Sequence, residues 1–459
     1  MEKKLKKIFK AYDVRGIYPE EVDREIALKS GRAFISFLKK KRDSGKLKIV
    51  LARDGRKSSP ELAEAVKRGI LEAGSDVIDI GLSPTPMFYF AVNFLGADGG
   101  ITVTSSHNPP QYNGFKFVRG KGIPISGETG LEEIRELVLE DENIQTKEKG
   151  EVIEKQVLSD YADSIIDGFD FSDFPDFKIV IDTANSVAGV VVPEIFQSTP
   201  FSFHHLFPKI DGSFPHHQPD PLKEENLAAI KEEVLKRESD LGIAFDGDGD
   251  RIVFVTEKGE AIRGDIAIAL LAPIILRNNP GAKIMYDITA SKIVRETIQN
   301  HGGIPLESRR GHSLIKERMR REDIFFAGEF SGHYFCQENN FFECPFSVLF
   351  LILEEMKREQ KPLSELAAKY QRYYHSGEIN FEVKDKQKVL QASEKKFSEQ
   401  GEISKIDGIK VNFDGWWFCV RPSNTEPVVR LILEAETKEL LEEKREMLVS
   451  FIQGVGGSD

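Results

Sequence analysis

Residues 246–251 read DGDGDR. Three carboxylates, Asp246, Asp248 and Asp250, alternate with glycines that let the backbone turn. All three can therefore converge on one hard cation, Mg²⁺ or Ca²⁺. Arg251, directly after them, suits a phosphate held beside that cation. An EF-hand would also put aspartates at loop positions one, three and five, with Glu257 at twelve. Its sixth position needs glycine, however, and here it is Arg251, followed by the strand-like RIVFV, so that reading is rejected. A solvated acidic turn is the bland alternative.

A second stretch, TVTSSHNPPQYNGFK at 102–116, runs from a strand-like segment into a stiff polar turn. Two prolines rigidify it. A serine presented on such a loop can accept and donate a phosphoryl group if its surroundings activate it. Ser106, before His107 and Asn108, is the candidate. Lys116 follows as a cation that could neutralise phosphate or move a proton. The alternatives are an ordinary strand-to-loop turn or a Ser-His-Asp hydrolase. No G-x-S-x-G elbow surrounds either serine, and an adjacent histidine is poorly placed as a base, which speaks against the hydrolase.

Two further loops carry polar groups. RPSNTEP at 421–427 offers a guanidinium (Arg421), two hydroxyls (Ser423, Thr425) and an amide (Asn424) after the strand-like GWWFCV. Such a set can cradle a phosphate, although Ser-Asn-Thr also makes plain turns. GEFSGH at 328–333 places Glu329, Ser331 and His333 among glycines, where they could reach the hydroxyls of a polyol. A β-hairpin turn explains it equally well.

The elements that must hold these loops follow from apolar periodicity. KIVLA at 48–52 predicts a strand, then SPELAEAVKRGILEAG a helix with Ser59 as cap, Pro60 at its first position and Gly74 closing it. SDVIDIG, TPMFYFAVNFLGADGG and GITVT continue as strand, helix, strand. The alternation restarts with FKIVIDTANSVAGVVVPEIF and LGIAFDGDGDRIVFV, and again with AKIMYDITASKIVRETIQNHGG. Three α/β units thus follow one another as a weak structural repeat. From about residue 370 strands dominate, with helices expected at 386–400 and 438–453, which predicts a smaller α+β domain. The expected boundaries are 1–150, 151–253, 254–367 and 368–459.

The 459 residues suit roughly three or four domains. With 75 acidic against 63 basic residues the formal net charge is −12, and no long basic block occurs, so no nucleic-acid partner is expected. No apolar run of about 18 residues exists, so no membrane span is expected. The basic N-terminus lacks an apolar core and is not a secretory signal. Three cysteines in no zinc-like spacing, Cys336, Cys344 and Cys419, are expected as free thiols of a cytoplasmic protein.

The four loops, in this order, resemble the α-D-phosphohexomutase family near its phosphomannomutase/phosphoglucomutase branch. FKAYDVRG at 9–16, ARDGRKSSP at 52–60, GLSPTP at 81–86, DGSFPHHQPDP at 211–221 and Gly311-His312 fit the same family, over nearly the whole chain. The resemblance implies three related α/β domains with mixed sheets and a fourth, TBP-like α+β domain around a central cleft. It implies a phosphoserine at Ser106, and Mg²⁺ held by Asp246, Asp248, Asp250 and the phosphoserine itself. It implies sugar contacts from Glu329 and Ser331, and a substrate-phosphate loop at 421–425. Tyr12, Arg15, Lys116 and His312 match positions lining the cleft.

The implied reaction interconverts hexose 1- and 6-phosphates, of mannose and/or glucose, through a hexose 1,6-bisphosphate that is intermediate and activator. Arg251 would orient the phosphoryl group, with Lys116 preferred over His312 for proton transfer. The last domain would close on a hinge near 365–375. A monomer or homodimer is expected. Two departures stand out: Thr289 where some bacterial members carry lysine, and Phe330 where Met or Gln is common. Phosphoglucosamine mutase, a metal-dependent phosphatase and a non-catalytic sugar-phosphate sensor remain the other readings.

Overall fold

The computed structural model describes residues 1–40, 45–140, 149–423 and 428–457. Its architecture is four sheets in chain order. In the first, the strands Lys48–Arg53, Asp76–Leu82 and Gly99–Val103 run parallel, and Tyr112–Arg119 then pairs antiparallel with Gly99–Val103. In the second, Leu241–Phe245, Lys178–Asp182 and Ser202–Leu206 are parallel, and Ile252–Thr256 returns antiparallel on Leu241–Phe245. In the third, Lys283–Asp287, Ile304–Ser308 and Phe326–Gly328 are parallel, and Tyr334–Cys336 returns antiparallel on Phe326–Gly328.

The weak repeat in the sequence is thus a repeat of topology. Each of the three sheets switches from parallel to antiparallel at one point, and each switch is made by one chemical loop. The serine loop leaves Gly99–Val103, the aspartate loop leaves Leu241–Phe245, and GEFSGH leaves Phe326–Gly328. All three sit at carboxyl ends of parallel strands, where open α/β sheets place their ligand sites.

The fourth sheet is antiparallel, ordered Tyr374–His375, Val428–Ala435, Trp416–Pro422, Ile409–Phe413, Glu402–Ser404, with Ile379–Glu382 also on Val428–Ala435. Helices Lys386–Phe397 and Lys438–Gly456 close a separate core containing Phe397, Phe418, Leu448 and Ile452. By contrast, one apolar core runs without a break through the first three sheets, from Val50 and Ile78 through Ile181 and Ile243 to Ile284 and Leu353. The helix Thr85–Phe94 is buried on nearly every side because it lies inside this shared core.

Two expectations are corrected. Cys336 and Cys344 are not free thiols: they form a disulfide with Cα atoms 6.3 Å apart, and only Cys419 stays free, buried. Cys336 lies opposite Phe342 on the neighbouring strand, which brings Cys344 across to it, a proximity that linear spacing does not reveal. The helix after KIVLA runs Ser59–Glu72 with Ser58 as its N-cap residue; Ser59 instead donates to Asp54 Oδ1 at 2.5 Å. No helix among the described residues is long and apolar enough to cross a membrane.

Candidate active site

The serine loop is held from beneath by one fully buried arginine. Arg56 Nη1 donates to the carbonyls of Pro109 and Tyr112 at 2.7 and 3.0 Å, and Nη2 to those of Ser106 and Asn108 at 2.6 Å each. Asp54 fixes the guanidinium through Nε at 3.1 Å. Four carbonyls on one planar fork leave the loop few ways to move. Ser106 adopts the left-handed region at φ +49°, uncommon for a residue with a side chain, and its N–H donates to Thr104 Oγ1 at 3.0 Å. Nothing local in ARDGR announces this role of Arg56.

The Ser106 hydroxyl donates to Asp246 Oδ2 at 2.8 Å. His107 Nδ1 lies 3.2 Å from the same Oγ, so the twist at Ser106 brings the adjacent imidazole within reach, contrary to its expected poor placement. Asp246, Asp248 and Asp250 are buried and offer carboxylate oxygens within 4.8 Å of one another. Lys116 Nζ donates to Asp248 Oδ2 at 2.5 Å and to Asp250 Oδ2 at 2.7 Å. Thr85, at the start of its helix, donates from Oγ1 to Asp248 Oδ2 at 2.6 Å and ties the first unit to the aspartate loop.

The donor set fits a hard divalent cation. It consists of carboxylate oxygens at close range, and Asp248 Oδ1 is buried without a hydrogen-bond donor. Gly247 allows the loops to meet: a Cβ there would lie 2.1 Å from the Ser106 carbonyl oxygen.

The electrostatics follow from crowding. Burial and repulsion from Asp250 and Asp248 push Asp246 well above the usual carboxylate range. Burial works against charge on Asp250 too, but Lys116 and His333 outweigh it and hold Asp250 well below that range. Burial disfavours the Lys116 ammonium, yet Asp248 and Asp250 raise its pKa well above normal. His333 is opposed by burial but raised to about 9, because Nε2 is 3.2 Å from Asp250 Oδ1 and Nδ1 is 3.2 Å from Glu329 Oε2. Burial drives His107 and His312 well below the usual imidazole range, so both are neutral near pH 7.

The other expected residues group around this centre. Arg15 donates from Nη1 to Asn108 Oδ1 at 2.7 Å and from Nε to Asp13 at 2.8 Å. Arg251 Nε lies 3.9 Å from Asp246 Oδ2 and 3.4 Å from His333 Nε2. Glu329 Oε1 accepts from the Gly311 N–H at 2.8 Å, and Ser331 Oγ is 2.8 Å from His333 Nδ1. Tyr12 donates to the Arg310 carbonyl at 3.0 Å, and its ring is edge-on to His312 at 6.0 Å. Arg421 is engaged by Asp407, at 2.9 Å from Nη2, and Asp407 also accepts from the Arg310 N–H at 3.2 Å. The Ser423 carbonyl accepts from Lys386 at 2.8 Å; Asn424 and Thr425 lie outside the described residues.

Of the two departures, Thr289 turns inward, its N–H donating to Asp287 Oδ1 at 2.8 Å. Phe330 stacks on His375 of the fourth sheet at 5.3 Å.

Four domain models of one family match the chain in order. They are described as phosphoglucomutase/phosphomannomutase alpha/beta/alpha domains I, II and III, over residues 6–145, 159–259 and 263–373, and its C-terminal domain, over 378–450. A phosphomannomutase of Vibrio cholerae is 38% identical over 454 residues, covering 97% of this chain and 98% of its own. A phosphomannomutase/phosphoglucomutase of Pseudomonas aeruginosa is 35% identical over 459 residues, covering 98% and 96%. A crystal structure of a phosphoglucomutase/phosphomannomutase family protein from Burkholderia thailandensis superposes with a TM-score of 0.90 at 33% identity, covering 99% and 98%. The topological switch that carries each loop, the serine bonded to the first of three clustered aspartates and these full-length matches agree: the chain belongs to the phosphoglucomutase/phosphomannomutase family.

Proposed function

We propose that this protein is a phosphohexomutase that interconverts hexose 1-phosphate and hexose 6-phosphate, taking mannose and glucose. Ser106 carries the phosphoryl group, and hexose 1,6-bisphosphate is both intermediate and activator. The observation that carries this reading is the Ser106 hydroxyl bonded to Asp246 at 2.8 Å inside a buried three-aspartate cluster. The names of the Vibrio and Pseudomonas relatives point to the two sugars.

Asp246, Asp248 and Asp250, with an oxygen of phosphorylated Ser106, would hold Mg²⁺. When bound, that ion supplies charge neutralisation for the transferring phosphoryl group. Arg56 and the Ser106 backbone keep Oγ pointed into the cluster. Lys116, kept charged by its carboxylate neighbours, donates to phosphate oxygens rather than removing a proton. His312, neutral in the cleft, takes the proton of the attacking sugar hydroxyl at Nε2. Glu329, locked by Gly311 and His333, receives sugar hydroxyls together with Ser331. Arg421 and Ser423, with Asn424 and Thr425, bind the phosphate that is not being transferred, whichever way round the sugar lies.

The test is to incubate the protein with Mg²⁺ and glucose 1,6-bisphosphate and map phosphate by peptide mass spectrometry. Label on Ser106, discharged by excess glucose 1-phosphate or mannose 1-phosphate with 6-phosphate appearing, is the expected result. Isomerisation with Ser106 unmodified would put the carrier elsewhere. Release of inorganic phosphate would mean a phosphatase, and sugar-phosphate binding without turnover would mean a sensor.

A further inference from the structure

Beside His312 lies a buried ion pair that no step above uses. Lys316 follows His312 by one turn on the helix His312–Glu322, so both project from the same helical face. Lys316 Nζ donates to Glu343 Oε1 at 2.6 Å, and both residues are fully buried. Glu343 ends the short strand Phe342–Glu343, beyond the hairpin that follows the sugar loop. The ammonium sits 4.0 Å from the Tyr89 ring centroid and 5.7 Å from that of Phe335, so aromatic faces as well as the carboxylate hold it.

The same Glu343 oxygen lies 3.7 Å from His312 Nδ1. Among the described residues, His312 Nδ1 and Glu343 Oε2 are both buried atoms without a hydrogen-bond partner. One can donate, the other can accept, and they belong to neighbouring groups. Buried polar atoms rarely stay unpaired, and a movement of about 0.8 Å would bring nitrogen and carboxylate to normal hydrogen-bond distance. Tyr12, edge-on at 6.0 Å, and His333, near-parallel at 6.1 Å, are the ring neighbours of His312.

We infer that Glu343, clamped by Lys316, is the positioning residue that keeps the His312 proton on Nδ1 and presents Nε2 to the sugar as a hydrogen-bond acceptor. A neutral imidazole has one N–H, so whatever accepts at Nδ1 decides that Nε2 is the free base. Lys316 supplies the counter-charge that a carboxylate buried this deeply needs. The inference rests on the proposed role of His312, and its test separates the two.

Steady-state kcat and KM for glucose 1-phosphate would be compared for wild type, Glu343→Gln, Lys316→Met/Glu343→Met, His312→Gln and the His312→Gln/Glu343→Gln double variant. Glu343→Gln should lower kcat about 10–100-fold with KM within about twofold. The Met/Met variant has no buried charge left to strand and is expected to fold, which melting checks; it should be equally slow. In the His312→Gln background the Glu343 change should cost nothing further. Recovery of wild-type kcat in the Met/Met variant would overturn the inference, because Glu343 would then only balance Lys316. An equal loss with or without His312 would overturn it as well. A His312→Gln variant with unchanged kcat would instead remove the role of His312, and the inference with it.

Discussion

At the residue scale the site is a contest over protons among groups too crowded to ionise independently. His333 is the clearest case. Facing Asp250 and Glu329, it keeps its proton up to a pH of about 9 in the folded protein, whereas an unfolded chain releases it near the ordinary imidazole value of 6.5. Folding therefore takes up a proton between those values. The stabilisation is fully present below pH 6.5 and is lost as pH rises through about 9. Metal-free protein should lose on the order of 2–3 kcal/mol of stability across that window, read from denaturant unfolding at a series of pH values. His333→Gln should flatten the curve. Added Mg²⁺ should move the loss to lower pH, because a cation on Asp250 weakens the hold on the imidazolium. A profile unchanged by the substitution would place the titrating group elsewhere.

At the scale of elements, catalysis depends on how closely loops from different sheets approach. The aspartate loop leaves no room for a side chain at Gly247, since a Cβ would meet the Ser106 carbonyl oxygen at 2.1 Å. Gly247→Ala should force the two loops apart at a cost of about 1–3 kcal/mol. The apparent Mg²⁺ affinity and kcat should fall together, at least tenfold, in a metal titration of activity. Gly454, inside the helix Lys438–Gly456, meets nothing within 4 Å, so Gly454→Ala should leave both unchanged and is the control. Equal behaviour of the two variants would mean the close approach is unimportant.

The same scale explains what could be read from the chain. Strands such as Lys48–Arg53 and Leu241–Phe245 announce themselves as apolar runs between turn residues, and the loops at their ends carry unusual densities of Asp, Gly, Ser and Pro. Those are local signals. The unread parts are contacts across long stretches of chain. Arg56 gripping carbonyls around Ser106 and Glu343 meeting Lys316 leave no trace in periodicity, and the Cys336–Cys344 pair, though only eight residues apart, depends on a hairpin register that spacing does not show. The closeness of His107 to Ser106 is hidden from the sequence for a related reason. Its reach to Ser106 Oγ depends on one left-handed residue, and nothing in Ser-His-Asn announces φ +49°.

For the whole molecule the decisive contrast is between one core and two. The first three sheets share a continuous apolar interior and should move as one body, whereas the fourth has its own. It docks on the third through a small apolar patch, Ile288 against Trp417, Cys419 and Ile432, and through polar contacts that include Lys410 with the Ile288 carbonyl at 3.0 Å. A patch of that size with a polar surround resembles interfaces that open and close. The connection narrows the hinge. Helix Leu363–Ala368 contributes Leu363, Leu366 and Ala367 to the shared core, and strand Tyr374–His375 already belongs to the fourth sheet. A rotation of the fourth sheet, if it follows the predicted closure, would fall within 369–373, where Tyr373 donates to Glu296 at 2.7 Å. We predict that saturating glucose 1-phosphate lowers the radius of gyration in solution scattering as the fourth sheet closes over the sugar. Tyr373→Phe should enlarge the ligand-free value while leaving the liganded one in place. Identical scattering with and without ligand would mean that the sugar bisphosphate turns over inside a rigid cleft.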